Sequence, residues 1–552
     1  MIRSFSCNIY RNSKSIYNFQ RYFSSKPKDQ SPPTPTPITN SFIDREKRNK
    51  EILNETKHSI KHQQYQSINR LKNIQRNINK KKEEIVNIPK LLNDKSDPHQ
   101  TIDTSPSDSN NTNSFKSKVQ LMRDFIQDSL YNSEYGYFTT KEVIISPNVQ
   151  VKPLNSFKNH QEYNNYLHDL YKTLEHAWLT PVELFKPFYS YSIIRYILEK
   201  YKKLNSGKVL KIYEIGAGSG TNAISILNYL RDNHEDVYKT MNYTIIEISR
   251  LLADKQLSRI KEIHPNVHIS INNTSIFNWT HQKEDDDCFI ILTEVIDNLP
   301  HDKITKTDGG ALFESVVHSQ IFNTKKGYEN VIVPRQSQTT GFHREEWRKL
   351  SDPIINEYLW AERMWRGEKP KKNKLLQPVY NLMAMWNNFI KGDEIRYIPT
   401  VCFKLFQIFS IYFPKHHLVL ADFDFIPSIV PGENAPTVQE KVPILPDITN
   451  DQLVVSLDDD EKILYESRDS DDVIVPLGSS DIFFPYNFKD LKDMYCFVNR
   501  NRKDFQMDHV QTLKHGEFVK RYSRTEDLKQ TETKSKYNPI LEDYSNMSFL
   551  IS

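Results

Sequence analysis

Residues 209–221 read Val-Leu-Lys-Ile-Tyr-Glu-Ile-Gly-Ala-Gly-Ser-Gly-Thr, and this run narrows the choice of fold more than any other in the 552-residue chain. An apolar run ending in an acidic residue and three alternating glycines suits a buried parallel strand that turns sharply into a helix. Ala223, Ile226, Leu227 and Leu230 continue at helical spacing. Glycines let the backbone take angles that side chains forbid and let a ligand approach closely, while the helix opens with unpaired N–H groups. Such a turn is a ligand cradle.

The pattern around it alternates as a doubly wound α/β fold requires. Strands are predicted over 243–248, 267–271, 289–293 and 417–423, with a helix over 250–263. Upstream, Leu121, Phe125, Ile126 and Leu130 mark an amphipathic helix that runs into a turn and strand-like element over 132–138. A second helical stretch follows Leu179, with Thr180 as its cap and Pro181 at its first position. Helical periodicity over about 343–413, carrying Trp347, Trp360, Trp365 and Trp386, predicts an inserted helical layer covering the sheet or the mouth of the pocket.

Hydrophobic residues make up 38% of the chain and charged residues 26%, more polar than a compact globule, and the excess sits near the N-terminus. Residues 1–23 hold Arg3, Arg11, Lys14 and Arg21, several serines and aromatics, and no acid, the composition of a mitochondrial transit peptide. Its removal takes four charges from a net of +4, so the overall balance says nothing about nucleic acid. Residues 24–115 are a low-complexity arm rich in Ser, Pro, Thr, Asn and Lys. Within it, residues 45–82 carry twelve Lys or Arg against three Glu. That segment reads as a solvated charged arm, with contact to RNA or an anionic membrane as the alternative. No run approaches the length of a transmembrane span, and Cys7, Cys288, Cys402 and Cys496 lack the spacing of a zinc site. The acidic loop at 458–461 lacks the glycine and ligand spacing of a calcium loop.

A dinucleotide fingerprint needs glycine at its sixth position, where this chain has Thr221 after Gly216, Gly218 and Gly220. Three alternating glycines preceded by Glu214 suit S-adenosylmethionine instead, whose ammonium seeks a carboxylate. Glu247, at the end of the next strand, stands where nucleotide folds place the carboxylate that accepts ribose hydroxyls. A second signal is Thr293-Glu294-Val295-Ile296-Asp297-Asn298-Leu299-Pro300-His301-Asp302, just past a strand end where open sheets place their chemistry. Asp297 as a helix cap and His301 as a surface residue are the plainer alternatives.

Taken in order, Tyr135-Gly136-Tyr137-Phe138, Leu179-Thr180-Pro181-Val182-Glu183, Glu214-Ile215-Gly216-Ala217-Gly218-Ser219-Gly220-Thr221, Ile246-Glu247-Ile248-Ser249 with Gln256, and Glu294-Val295-Ile296-Asp297-Asn298-Leu299-Pro300 form one set. This set resembles the MidA-like mitochondrial methyltransferases, which include a protein arginine methyltransferase that assists respiratory complex I assembly. The resemblance implies a class I methyltransferase fold over 116–552, a matrix location, and a protein substrate such as a respiratory-complex subunit. It also implies S-adenosylmethionine held by Glu214, Gly216, Gly218, Gly220 and Glu247, while the cysteine spacing and the acidic loop leave no metal expected. The chain departs from the family at Thr293, Val295 and Ile296, where an amide and two aromatics are usual, and at Ala421-Asp422-Phe423-Asp424, where a strand often ends Ile-Asp-Tyr-Gly. It looks like a divergent, fungal-type branch. For a guanidinium acceptor a carboxylate must orient the cation and favour loss of its proton, and Glu294, Asp297 and His301 are the candidate catalytic residues. The altered acceptor stretch leaves a non-catalytic assembly protein of the same fold as the competing reading, and RNA binding or methylation through the basic arm as a third.

Overall fold

The computed structural model describes residues 115–141, 151–174, 179–204, 207–279, 283–307, 310–323, 339–367, 394–426, 432–444, 464–470 and 472–552. The transit peptide, the basic arm, Trp386 and the acidic loop at 458–461 lie outside them.

Strand β1 (Phe115–Leu121) runs directly into helix α1 (Met122–Tyr131), which buries Met122, Phe125, Ile126 and Leu130 on one side. The stretch expected to be strand-like turns instead into a short helix, Tyr137–Thr140. Gly136 sets this up, because its carbonyl accepts from the Thr139 and Thr140 N–H groups and a Cβ there would sit 2.5 Å from the Asn132 nitrogen. Helix α2 (Pro181–Leu184) begins as expected, with Pro181 at its first position and the Thr180 side chain accepting from the Glu183 N–H. Helix α3 (Phe188–Leu204) follows and leads to strand β2 (Lys211–Ile215).

From β2 the chain winds through α4 (Thr221–Asn233), β3 (Asn242–Glu247), α5 (Arg250–Ile263), β4 (Ile269–Asn273) and β5 (Cys288–Thr293). Next come β6 (Asp302–Lys306), β7 (Leu312–Asn323), β8 (Thr339–Lys349), α6 (Pro353–Trp365), β9 (Glu394–Ile398) and α7 (Thr400–Tyr412). Strand β10 (His416–Phe423) returns to the main sheet, which is completed by β14 (Gln511–Lys514) and β15 (Met547–Ile551) after β11 (Thr437–Pro443), β12 (Tyr465–Ser470), β13 (Asp481–Phe483) and helix α8 (Phe488–Asn499).

The main sheet has seven strands in the order β14-β15-β10-β5-β2-β3-β4. Strands β10, β5, β2, β3 and β4 are mutually parallel, and β15 is antiparallel to both β10 and β14. The expected Rossmann-like, doubly wound sheet is therefore present, and the strand order reverses between β2 and β5, where such sheets open a ligand crevice. Its central strands β5 and β10 are apolar on both faces because both are covered. Phe289, Ile291, Val419 and Ala421 face α3 and α4, whereas Ile290, Leu292, Leu418 and Leu420 face α6, α7 and α8. Each fully buried Phe, Ile, Val or Leu side chain among them is worth about 1.5–3 kcal/mol.

The segment expected as a helical layer over about 343–413 is mixed. Helices α6 and α7 lie in it, but β8 pairs along β7 and β9 pairs with β6 in a second sheet. Exposure alternates from Phe342 to Glu346, as it does along a half-exposed strand. Among the described residues no helix is long and apolar enough to cross a membrane.

Candidate active site

At the switch point lies an open cleft of about 900 Å³, part of it continuous with solvent. Its floor is the glycine turn. Gly216, Gly218 and Gly220 have φ of 67°, 57° and 81°, the left-handed region that side chains resist. Gly216 and Gly218 line the cleft, whereas Gly220 caps α4 and faces Gln256. A Cβ at Gly216 would meet Val295 at 3.1 Å, which is how close the next strand end comes.

Glu214 does not line the cleft. On β2 it shares the face of Ile212, which turns into the core, because residues two apart on a strand point the same way. There its two oxygens accept from the Asn222 amide at 2.8 Å and the Tyr243 hydroxyl at 2.7 Å, and burial raises its pKa against the pull of those bonds. It props the turn from below. Glu247 does reach the cleft, with one oxygen accepting from the Ser249 N–H at 2.9 Å and the other from the Gln256 amide at 2.9 Å. Burial raises its pKa as well, opposed by these donors. The Gln256 amide also donates to the Gly218 carbonyl at 2.8 Å, so one side chain ties the carboxylate to the glycine turn. Beside Glu247, Ile248, Leu252 and Phe277 form an apolar wall, and Ile248 and Phe277 are 38% and 37% exposed.

The turn after β5 forms the other side. Glu294 lines the cleft with φ of 54°, a conformation costly for any residue but glycine and one that clusters at functional sites. Its N–H donates to the Ala421 carbonyl at 2.9 Å. Asp422, from the neighbouring β10, then gathers the turn: its Oδ2 accepts from the N–H groups of Val295, Ile296 and Asp297 at 3.1, 2.9 and 3.2 Å. Burial raises the Asp422 pKa to about 7, the Glu294 charge adds to the rise, and the N–H donors oppose it.

Asp297 and His301 do not line the cleft. Asp297 is 2% exposed and its carbonyl accepts from the Phe484 N–H at 2.8 Å. The His301 ring is wholly buried, stacks on Phe484 at 3.9 Å and pairs through Nδ1 with the Leu299 carbonyl at 2.9 Å. Burial lowers its pKa to about 3, so it is neutral near pH 7 and not poised to exchange protons. Chain direction explains both corrections: after Val295 the turn drives Ile296 into the core, and the residues beyond follow it inward. Asn298 returns to the cleft wall, with its amide donating to Asp481 at 2.7 Å.

Gln127 and Tyr131 of α1 close the remaining side with Phe138, whose ring stacks on Tyr131 at 5.6 Å. Trp347, Trp360 and Trp365 are not part of this wall. Trp365 packs on Tyr358, Phe403 and Phe497, Trp360 meets Phe497, and Trp347 lies beneath the Lys303 ammonium. Asp422 and Tyr131 escaped the sequence reading as site residues. The position of Asp422 at the end of the strand beside β5 was the available signal.

The sequence pattern of a family described as S-adenosyl-L-methionine-dependent methyltransferases matches residues 192–507, more than half of the chain. The chain belongs to this methyltransferase family. The methyltransferase is 25% identical over 331 residues to a Schizosaccharomyces pombe protein named "Protein arginine methyltransferase NDUFAF7 homolog, mitochondrial", covering 58% of this chain and 67% of that one. Among solved structures it is similar to a COG1565 superfamily member from Burkholderia thailandensis bound to S-adenosyl-homocysteine, at 11% identity and a TM-score of 0.43, over 79% of this chain and 88% of that one. It is also similar to the N-methyltransferase NodS from Bradyrhizobium japonicum, at 22% identity and a TM-score of 0.14, over 20% and 48%. The residues present suit the methyl donor: left-handed glycines at the floor, a carboxylate for hydroxyls at Glu247 and an exposed apolar wall for a base.

Proposed function

We propose that this methyltransferase is a mitochondrial protein arginine N-methyltransferase acting in respiratory complex I assembly, with residues 1–23 directing it to the matrix, 24–115 as an arm and 116–552 as the methyltransferase domain. Gly216, Gly218 and Glu247 would hold S-adenosylmethionine directly, with Ile248, Leu252 and Phe277 against its base and Glu214 and Gly220 shaping the turn beneath. The donor, when bound, supplies an electrophilic methyl group on a sulfonium.

The observation that carries the acceptor reading is Glu294. It is held in a left-handed turn just past the strand beside the glycine floor, so the cleft has an acidic residue on each side of that floor, Glu247 at the end of β3 and Glu294 just after β5. Glu294 would orient a guanidinium by charge-assisted hydrogen bonds and accept the proton that the attacking nitrogen loses. Alignment does the rest, because holding the reactants in place lowers the barrier by several kcal/mol, on the order of 7–11 in the best cases. Asp297 and His301 take no direct part in this reading.

The cleft also shares Gln127 and Tyr131 with a solvent-open groove between Lys118–Leu121 and the α1 face carrying Asp124 and Asp128, room suited to a polypeptide. The relative's name, a protein arginine methyltransferase, points to the same acceptor class. The test is to incubate the purified chain with methyl-labelled S-adenosylmethionine and a mitochondrial extract and to identify the labelled residue by mass spectrometry. Label on arginine is expected, while label confined to another residue would remove the arginine reading. If Glu294→Ala supports complex I assembly in a knockout as fully as the unaltered chain, the assembly-protein alternative takes its place.

A further inference from the structure

We infer that Glu183 is a positioning residue for the methyl donor, acting through the Ser219 hydroxyl to fix the glycine turn. It lies before the 192–507 segment that carries the family pattern and does not line the cleft. Yet its carboxylate is 2% exposed, and a buried carboxylate costs several kcal/mol unless its partners compensate.

Those partners converge on the turn. The Ser219 hydroxyl donates to Glu183, and the same oxygen lies 2.8 Å from the Thr221 hydroxyl. Lys186 approaches the second carboxylate oxygen at 3.3 Å. From the opposite side the Arg259 guanidinium donates to the Ser219 carbonyl, and Gln256, one helical turn earlier on α5, donates to the Gly218 carbonyl. Burial disfavours the Arg259 charge, and the nearby Glu183 carboxylate opposes that effect.

The consequence is conformational. Left-handed glycines before and after Ser219 are free on their own to leave the geometry a ligand needs. Three side chains occupy the Gly218 and Ser219 carbonyls and the Ser219 hydroxyl, while Gly216 and Gly218 line the cleft. Ordering a binding loop before the ligand arrives raises affinity without any added contact. Gln256 and Arg259 both come from α5, but Glu183 comes from α2. Its short helix is placed by the Thr180 cap and Pro181, so the Leu179–Glu183 motif would serve the donor site from outside it.

The inference rests on the donor half of the proposed function and is indifferent to the acceptor. It is tested with S-adenosylhomocysteine titrated calorimetrically into the full chain and into Glu183→Ala, Glu183→Gln, Ser219→Ala and the Glu183→Ala/Ser219→Ala double variant. Each alanine variant is expected to bind about tenfold more weakly, the double no more weakly than the poorer single, and Glu183→Gln, which keeps an acceptor for Ser219, to recover most of the loss. In methyl transfer the KM for the donor should rise while kcat is kept. Ser219→Ala removes one buried hydroxyl but leaves Lys186 beside the carboxylate, so it should melt within several degrees of the unaltered chain, about what a lost hydrogen bond to a charged group costs, and its affinity remains readable if Glu183→Ala folds poorly. Unchanged affinity in Ser219→Ala, or losses that multiply in the double variant, would overturn the inference. No binding by the unaltered chain would overturn it together with the donor reading.

Discussion

The two sides of the cleft stand on adjacent parts of one sheet and are held in different ways. The side proposed for the donor is local but for Glu183: Glu214, the three glycines, Glu247 and Gln256 fall within one strand-helix-strand-helix passage, and each bonds to another member of that passage. The acceptor side is not. The backbone of Val295 to Asp297 is gathered by Asp422 from β10, and Asn298 and Asp297 are tied to the segment around Asp481 and Phe484. A local cradle can be recognised wherever its chain segment occurs, whereas a turn shaped by distant partners shows its purpose only once they are in place.

The difference can be broken most sharply at Gly216. Valine there combines a forbidden φ with a Cβ pressed against Val295, a cost of about 2–5 kcal/mol, so calorimetry should find S-adenosylhomocysteine affinity reduced by roughly 100-fold or more. On the acceptor side Glu294→Gln keeps shape and removes charge. It should lower kcat by about 100-fold while donor affinity stays within about threefold, measured by single-turnover transfer and calorimetry.

Asp422→Asn sharpens the comparison through pH. Because the folded protein raises the Asp422 pKa from the ordinary carboxylate range to about 7, the folded state binds more protons than the unfolded state between roughly pH 4 and 7. The stability this group contributes is full below about pH 4 and is lost as pH rises through about 7. Melting curves should therefore show a decline over that window which Asp422→Asn lacks, with a loss of about 1–3 kcal/mol in the variant from weakened acceptance of the backbone N–H groups. The smallest effect is expected at His301→Phe. The ring is neutral and stacked away from the cleft, so kcat should remain within about twofold, while stability falls by about 1 kcal/mol for the lost hydrogen bond to Leu299.

Much of the fold was legible because its signals are local. The apolar runs that became β3, β5 and β10, the Ser249-capped helix α5 and the glycine turn all appear within a residue or two of their expected places. The region after residue 343 was misread as helical throughout because β8 owes its state to pairing along β7, a partner that periodicity does not reveal. At the site, Gly216, Gly218, Glu247 and Glu294 reach the cleft as the motifs suggested. Glu214 lies beneath the turn because of the face of β2 on which it falls, and Asp297 and His301 are buried behind the cleft wall, since the turn beyond β5 dives into the core at a point no spacing rule gives. Asp422 and Glu183 act through partners 125 and 36 residues away, distances no local pattern spans.

The central claim is that Glu294 performs the acceptor chemistry beside an independent donor cradle. It is tested most directly by measuring methyl transfer to mitochondrial proteins and S-adenosylhomocysteine affinity side by side in the unaltered chain and in Glu294→Gln. The account predicts labelled arginine that falls by about 100-fold in the variant, with affinity essentially kept. Equal labelling by the two proteins would contradict it.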